Sequence, residues 1–76
     1  MKLRTELKKQ LELGRNVMIF SKGDVWGVPI IQMDWEFGQI DWLSTKVLNA
    51  NVTNTYYDDD VDTIRICIDL ERKYRD

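Results

Sequence analysis

The stretch Lys46–Glu71, KVLNANVTNTYYDDDVDTIRICIDLE, decides the fold. It predicts two long strands joined through Asp58-Asp59-Asp60. Successive strand residues point to opposite faces. Leu48, Ala50, Val52 and Tyr56 therefore share one side, with Asn54 as the polar exception, and Ile64, Ile66, Ile68 and Leu70 share one side of the second strand. A three-residue loop at 58–60 sets Tyr57 opposite Val61, Asn54 on Ile64, Val52 on Ile66, Ala50 on Ile68 and Leu48 on Leu70. A slip of one residue puts Val52 opposite Arg65 and mixes the two faces. The second face then carries Asn49, Asn51, Thr53, Thr55 and Tyr57 against Val61, Thr63, Arg65, Cys67 and Asp69. Thr55 meets Thr63 and Asn49 meets Asp69 in this register, a set expected to be wet or covered by a partner rather than core.

Upstream, residues 3–13 predict a helix. Leu3, Leu7 and Leu11 repeat on one stripe, with Leu13 at its border, and Lys, Glu, Gln and Arg fill the rest. Gly14 is a natural stop. Asn16–Ser21 holds the apolar run Val17-Met18-Ile19-Phe20 and predicts a short strand. A turn at Ser21-Lys22-Gly23-Asp24 returns it to a partner strand at Val25–Val28, and Pro29 marks an edge or a bend. Ile31, Met33, Trp35 and Phe37 alternate with Gln32, Asp34 and Glu36, the pattern of a half-buried strand with an acidic outer face that Gly38 ends. Residues 39–45 read as a connecting loop or single turn with Trp42 packed across the sheet end; Asp41 capping a short helix and a continued strand are the competing readings. Glu71–Asp76 is a polar tail.

Together these elements define one domain over 1–76 of α+β class: an N-terminal helix packed on an antiparallel sheet of about four strands, with a long C-terminal β-hairpin. A small SH3-like barrel is the architectural alternative. A chain of 76 residues buries only ~60% of its unfolded surface, so its core is small. Cys67 is the single cysteine, and the Met1–Arg4 start is followed by no apolar segment. The expected setting is reducing and cytoplasmic, without a membrane.

The net charge of −2 conceals an uneven distribution. Residues 1–23 hold six bases and two acids, net +4; residues 24–71 hold ten acids and two bases, net −8; residues 72–76 hold three bases and one acid, net +2. Basic ends therefore flank an acidic middle, either cancelling it in the fold or presenting oriented charge to a partner.

The absence of histidine removes histidine-based nucleophilic triads and histidine metal sites. Cys67 between two isoleucines reads as structural rather than nucleophilic. The carboxylates fall at a turn or on open strand faces, without the enclosed cleft that acid–base catalysis needs. Asp58, Asp60 and Asp62 match positions 1, 3 and 5 of a calcium loop, with Asp69 at position 12, but Thr63 stands where that loop needs glycine. No metal, cofactor or catalytic residue is therefore assigned. Asn51-Val52-Thr53 fits a glycosylation sequon without a secretory context. Three tryptophans and two adjacent tyrosines evoke a base-stacking platform, but most of them lie in the acidic part of the chain.

The resulting expectation is a small non-enzymatic protein-interaction module, an inhibitor or adaptor of the size made by phages and mobile elements. It binds the basic surface of a partner, such as a nucleic-acid-binding protein, through Tyr57, Asp58, Asp59, Asp60 and Asp62, supported by Asp34, Glu36 and Asp41. The alternative is a nucleic-acid-binding module using Lys2, Arg4, Lys8, Lys9 and the Arg72–Arg75 tail. A homo-oligomer pairing through the strand edge near Pro29 or through the Thr/Asn face is the third expectation.

Overall fold

Leu3 and Leu7, one helical turn apart, are both fully buried, and they fix how helix α1 (Leu3–Glu12) lies across the sheet. The computed structural model describes residues 1–22, 27–36, 40 and 43–70. The other elements are β1 (Asn16–Phe20), β2 (Ile31–Met33), the short helix α2 (Thr45–Leu48), β3 (Val52–Asp58) and β4 (Thr63–Ile68). The expected α+β fold is present: the N-terminal helix covers a sheet of four strands in the order β2-β1-β4-β3. Burying a leucine of this kind contributes about 1.5–3 kcal/mol.

The sheet is mixed, not wholly antiparallel. The pairs β1/β2 and β3/β4 are antiparallel, but the central pair β1/β4 is parallel, with Val17 beside Ile64 and Ile19 beside Ile66. This central position explains why β4 is buried along most of its length, since parallel pairs sit inside sheets. The face toward α1 gathers Val17, Ile19, Met33, Ile64, Ile66 and Ile68 with Leu3, Leu7, Leu43, Leu48 and Ala50.

The helix buries more than its leucine stripe. Glu6 and Gln10 are inside with Leu3 and Leu7, while Leu13 is exposed. Gln10 Nε2 donates to the Glu6 carboxylate, and Gln10 Oε1 accepts from Arg15 Nη1 at 3.1 Å. The buried polar pair is thus satisfied. At its start, the Leu3 N–H donates to Ala50 O at 2.9 Å, tethering the helix to the chain before β3. At its end, Gly14 takes φ +76, a left-handed stop that costs glycine nothing.

The hairpin is shorter than expected and its register differs. Leu48 and Ala50 do reach the core, but from α2 and its exit rather than from a strand. Ser44 Oγ caps α2 by accepting from Val47 N–H at 3.2 Å. The cap expected at Asp41 and the packing of Trp42 lie outside the described residues. The pairs are Asp58↔Thr63, Tyr57↔Ile64, Tyr56↔Arg65, Thr55↔Ile66, Asn54↔Cys67 and Val52↔Ile68. The turn therefore runs through Asp59–Asp62 instead of 58–60, and the expected Tyr57–Val61 and Thr55–Thr63 pairs do not form. Two local features cause the change. Asp62 adopts φ 49, a left-handed conformation that aspartate tolerates better than most side chains. A bulge at Thr53 lies between Val52 and Asn54 and moves Val52 to the opposite face from Tyr56.

Two other strand expectations are corrected. The partner of β1 is Ile31–Met33, not Val25–Val28; Gly27 and Val28 lie in no strand, and residues 25–26 lie outside the described set. The alternating run stops at Met33, because the Asp34 side chain accepts from Glu36 N–H at 3.0 Å and Asn16 Oδ1 accepts from Trp35 N–H at 3.1 Å. Those side-chain bonds draw the backbone into a turn. Nor is the second face of β4 wet. Thr63 and Cys67 on β4 are buried, as is Phe20 beside Cys67 on β1. Cys67 Sγ donates to Ser21 O at 3.2 Å, and the Arg65 guanidinium lies over the Phe20 ring, 5.4 Å from its centre.

Candidate functional site

The topology brings the expected partner-binding residues to one end of the sheet. β3 ends at Asp58, β4 begins at Thr63, β1 begins at Asn16 and β2 ends at Met33, all on the same side. Asp34 and Glu36 therefore stand on the same rim as Tyr57, Asp58, Asp59, Asp60 and Asp62. At ~4.8 Å per strand spacing, β2 and β3 are roughly 14 Å apart across this rim. A groove of about 290 Å³ on the β2 side of this rim is lined by Asn16, Val17, Met18, Gln32, Met33, Asp34 and Thr63. Of the expected contact residues, Asp34 lines it.

The rim also displays apolar surface. Trp35, Tyr57 and Val61 are 47%, 41% and 55% exposed, and Leu13 is exposed just before β1. Exposed aromatic and aliphatic groups beside charge are the composition of interaction surfaces. Sequence reasoning named Trp35 only within a base-stacking set and gave Leu13 no contact role. Trp35 followed an alternation that assigned it to a half-buried strand, and only the turn at Asp34–Glu36 exposes it.

Each tip residue has a distinct setting. Asp58 is the least exposed of the acids: its Oδ2 receives Arg65 Nη2 at 3.3 Å and its Oδ1 receives Asp60 N–H at 3.2 Å. Asp59 and Asp60 are exposed. The Tyr57 hydroxyl donates to Asp62 Oδ1, and the Arg15 guanidinium lies 5.0 Å from the centre of the Tyr57 ring. The hydrogen bond to Asp62, then desolvation and the nearby negative charge, raise the Tyr57 hydroxyl above its ordinary 10.0.

One carboxylate oxygen from each of Asp58, Asp59 and Asp60 lies within 4.8 Å of the others. The calcium-loop pattern does not assemble, because Asp69 lies beyond Ile68 at the far end of β4. Six strand residues separate it from the tip, roughly 20 Å. Asp62 is instead engaged by Tyr57, and Asp58 by Arg65.

Of the basic residues in the nucleic-acid reading, Lys2, Arg4, Lys8 and Lys9 are all exposed. The Arg72–Arg75 tail lies outside the described residues. Among the described residues, no helix is long and apolar enough to cross a membrane. No known protein family matches the chain, and neither does any curated protein or solved structure.

Proposed function

We propose that this chain is a small non-enzymatic protein-interaction module that engages a basic partner surface with the acidic rim of its sheet. The observation that carries this reading is that strand order sets Asp34 and Glu36 at the same end of the sheet as Asp58, Asp59, Asp60 and Asp62. Carboxylates at this rim would pair with lysines and arginines of the partner, including those that a nucleic-acid-binding protein uses for phosphates. Trp35, Tyr57 and Val61 supply the apolar contact that charge alone lacks. Complementary charge chiefly accelerates and selects encounters, so binding is expected to weaken with salt. The test is quantitative capture from native lysate by the wild-type chain and by Glu36→Lys with Asp59→Lys and Asp60→Lys. Asp58 is left unchanged because it holds Arg65.

A second reading rests on a separate observation, the exposure of Lys2, Arg4, Lys8 and Lys9 at and along α1. These bases could neutralise phosphates of a nucleic acid, and binding would then fall steeply with salt. Labelled DNA and RNA titrated at low salt decide it; absence of binding there removes the reading.

A further inference from the structure

We propose that the outer edge of β3 is a homodimer interface, with two copies pairing β3 to β3′ antiparallel about a two-fold axis at Tyr56. The inference starts from backbone geometry and does not rest on the acidic-rim reading, although it sets the same tip acids beside a second copy.

Among the described residues β3 is an edge strand, and every residue from Thr53 to Tyr57 is exposed. The direction of its backbone groups follows from the ladder. Asp69 N–H donates inward to Asn51 O at 2.8 Å, so residues 67, 65 and 63 of β4 also aim their amides at β3. Their partners Asn54, Tyr56 and Asp58 face inward. Thr55 and Tyr57 therefore turn their N–H and C=O groups outward.

Edges of this kind are normally guarded by charge, proline or a bulge. Here the bulge at Thr53 disturbs only the start of the strand, and Val52–Tyr57 contains neither proline nor a charged residue. The start is also occupied. Val52 N–H donates outward to Met1 O at 2.7 Å, and Lys2 bridges Asn51 in antiparallel sense. The edge thus already accepts an antiparallel segment at one end, and an incoming antiparallel strand continues it end to end.

A second copy is the occupant that fits both ends. β3 finishes in the acids Asp58, Asp59 and Asp60 and starts beside the exposed base Lys2. Antiparallel pairing lays the acidic end of each copy toward the Lys2 end of the other. With Tyr56 opposite Tyr56′, Thr55 meets Tyr57′ and Tyr57 meets Thr55′. Each of those pairs exchanges both of its N–H···O bonds. Asp59 then comes beside Thr53′, next to the Val52′ whose N–H donates to Met1′ O.

The experiment is light scattering of the full chain across a dilution series, with wild type and Thr55→Pro. Wild type is expected to approach twice its 9.1 kDa mass at high concentration and to fall toward 9.1 kDa on dilution. Thr55→Pro removes an outward donor and is expected to stay at the single-chain mass while keeping the wild-type circular dichroism. Tyr56→Cys provides a readout that does not depend on the proline variant folding. It is expected to form an intermolecular disulfide under mild oxidation, whereas Asn54→Cys, opposite Asp58′, is not; the buried Cys67 does not compete. A single-chain mass at every wild-type concentration overturns the proposal. So does a dimer that survives in folded Thr55→Pro, or one in which Tyr56→Cys fails to crosslink.

Discussion

Arg65 Nη2 and Asp58 Oδ2 meet 3.3 Å apart at the end of the hairpin, with only 18% and 20% of their side chains exposed. This pair separates one acid of the tip from the rest. Asp58→Ala leaves Arg65 without its carboxylate in a largely enclosed site, and the expected loss is about 1–3 kcal/mol in denaturant unfolding. Asp59→Ala and Asp60→Ala are expected to change stability by less than ~0.5 kcal/mol, as exposed substitutions usually do. Equal effects at all three positions would show that the pair does not organise the turn.

Tyr57 and Asp62 make the turn sensitive to high pH. The Tyr57 hydroxyl is raised above 10.0 chiefly by its hydrogen bond to Asp62. The folded chain therefore holds this proton more tightly than the unfolded chain. The stabilisation is fully present below the ordinary tyrosine value and is lost as pH rises through the folded value. In an absorbance titration of the three tyrosines, one should ionise later than the ordinary phenol. Asp62→Asn is expected to move that late titration down; no movement would mean that Asp62 is not its cause.

Gln10 links Glu6 to Arg15 beneath α1. Gln10→Ala strands a buried carboxylate and removes an acceptor from the guanidinium, which is expected to cost roughly 1–3 kcal/mol. Lys8→Ala, on the exposed face of the same helix, is expected to be neutral within ~0.5 kcal/mol. Thermal unfolding of the two variants checks the contrast.

Cys67 tests whether the second face of the sheet is covered. Its side chain is 1% exposed and hydrogen-bonded to Ser21 O. A thiol reagent is expected to react with it only when the chain opens, so its rate should track unfolding as denaturant is added. Rapid modification of the native chain would mean that this face is open, as the parity of the hairpin alone implies.

Local signals in the sequence carried the helix, β1, the acidic turn and the apolar set of β4. Leu3 and Leu7 repeat at helical spacing, and Ile64, Ile66 and Ile68 alternate, so both patterns report the face they bury. The register was not legible, because it depends on Asp62 entering the left-handed region and on a bulge at Thr53. Neither leaves a mark in a hydrophobic pattern. The parallel β1/β4 pair is a contact between residues far apart in sequence, and the burial of Glu6 and Gln10 is hidden by their polarity. Among the site residues, the tip was visible as a run of aspartates. That Asp34 and Glu36 share its rim depends on strand order, and the exposure of Trp35 depends on the turn made by Asp34 and Asn16.

The central claim is that this acidic rim recognises a basic partner. The most direct measurement is capture from native lysate at low and high salt, quantified by mass spectrometry, with wild type beside the Glu36→Lys, Asp59→Lys, Asp60→Lys variant. The account predicts that wild type enriches a basic protein, that salt weakens the capture, and that the folded variant loses it. Equal capture by the two chains, or no specific capture by wild type, would contradict it.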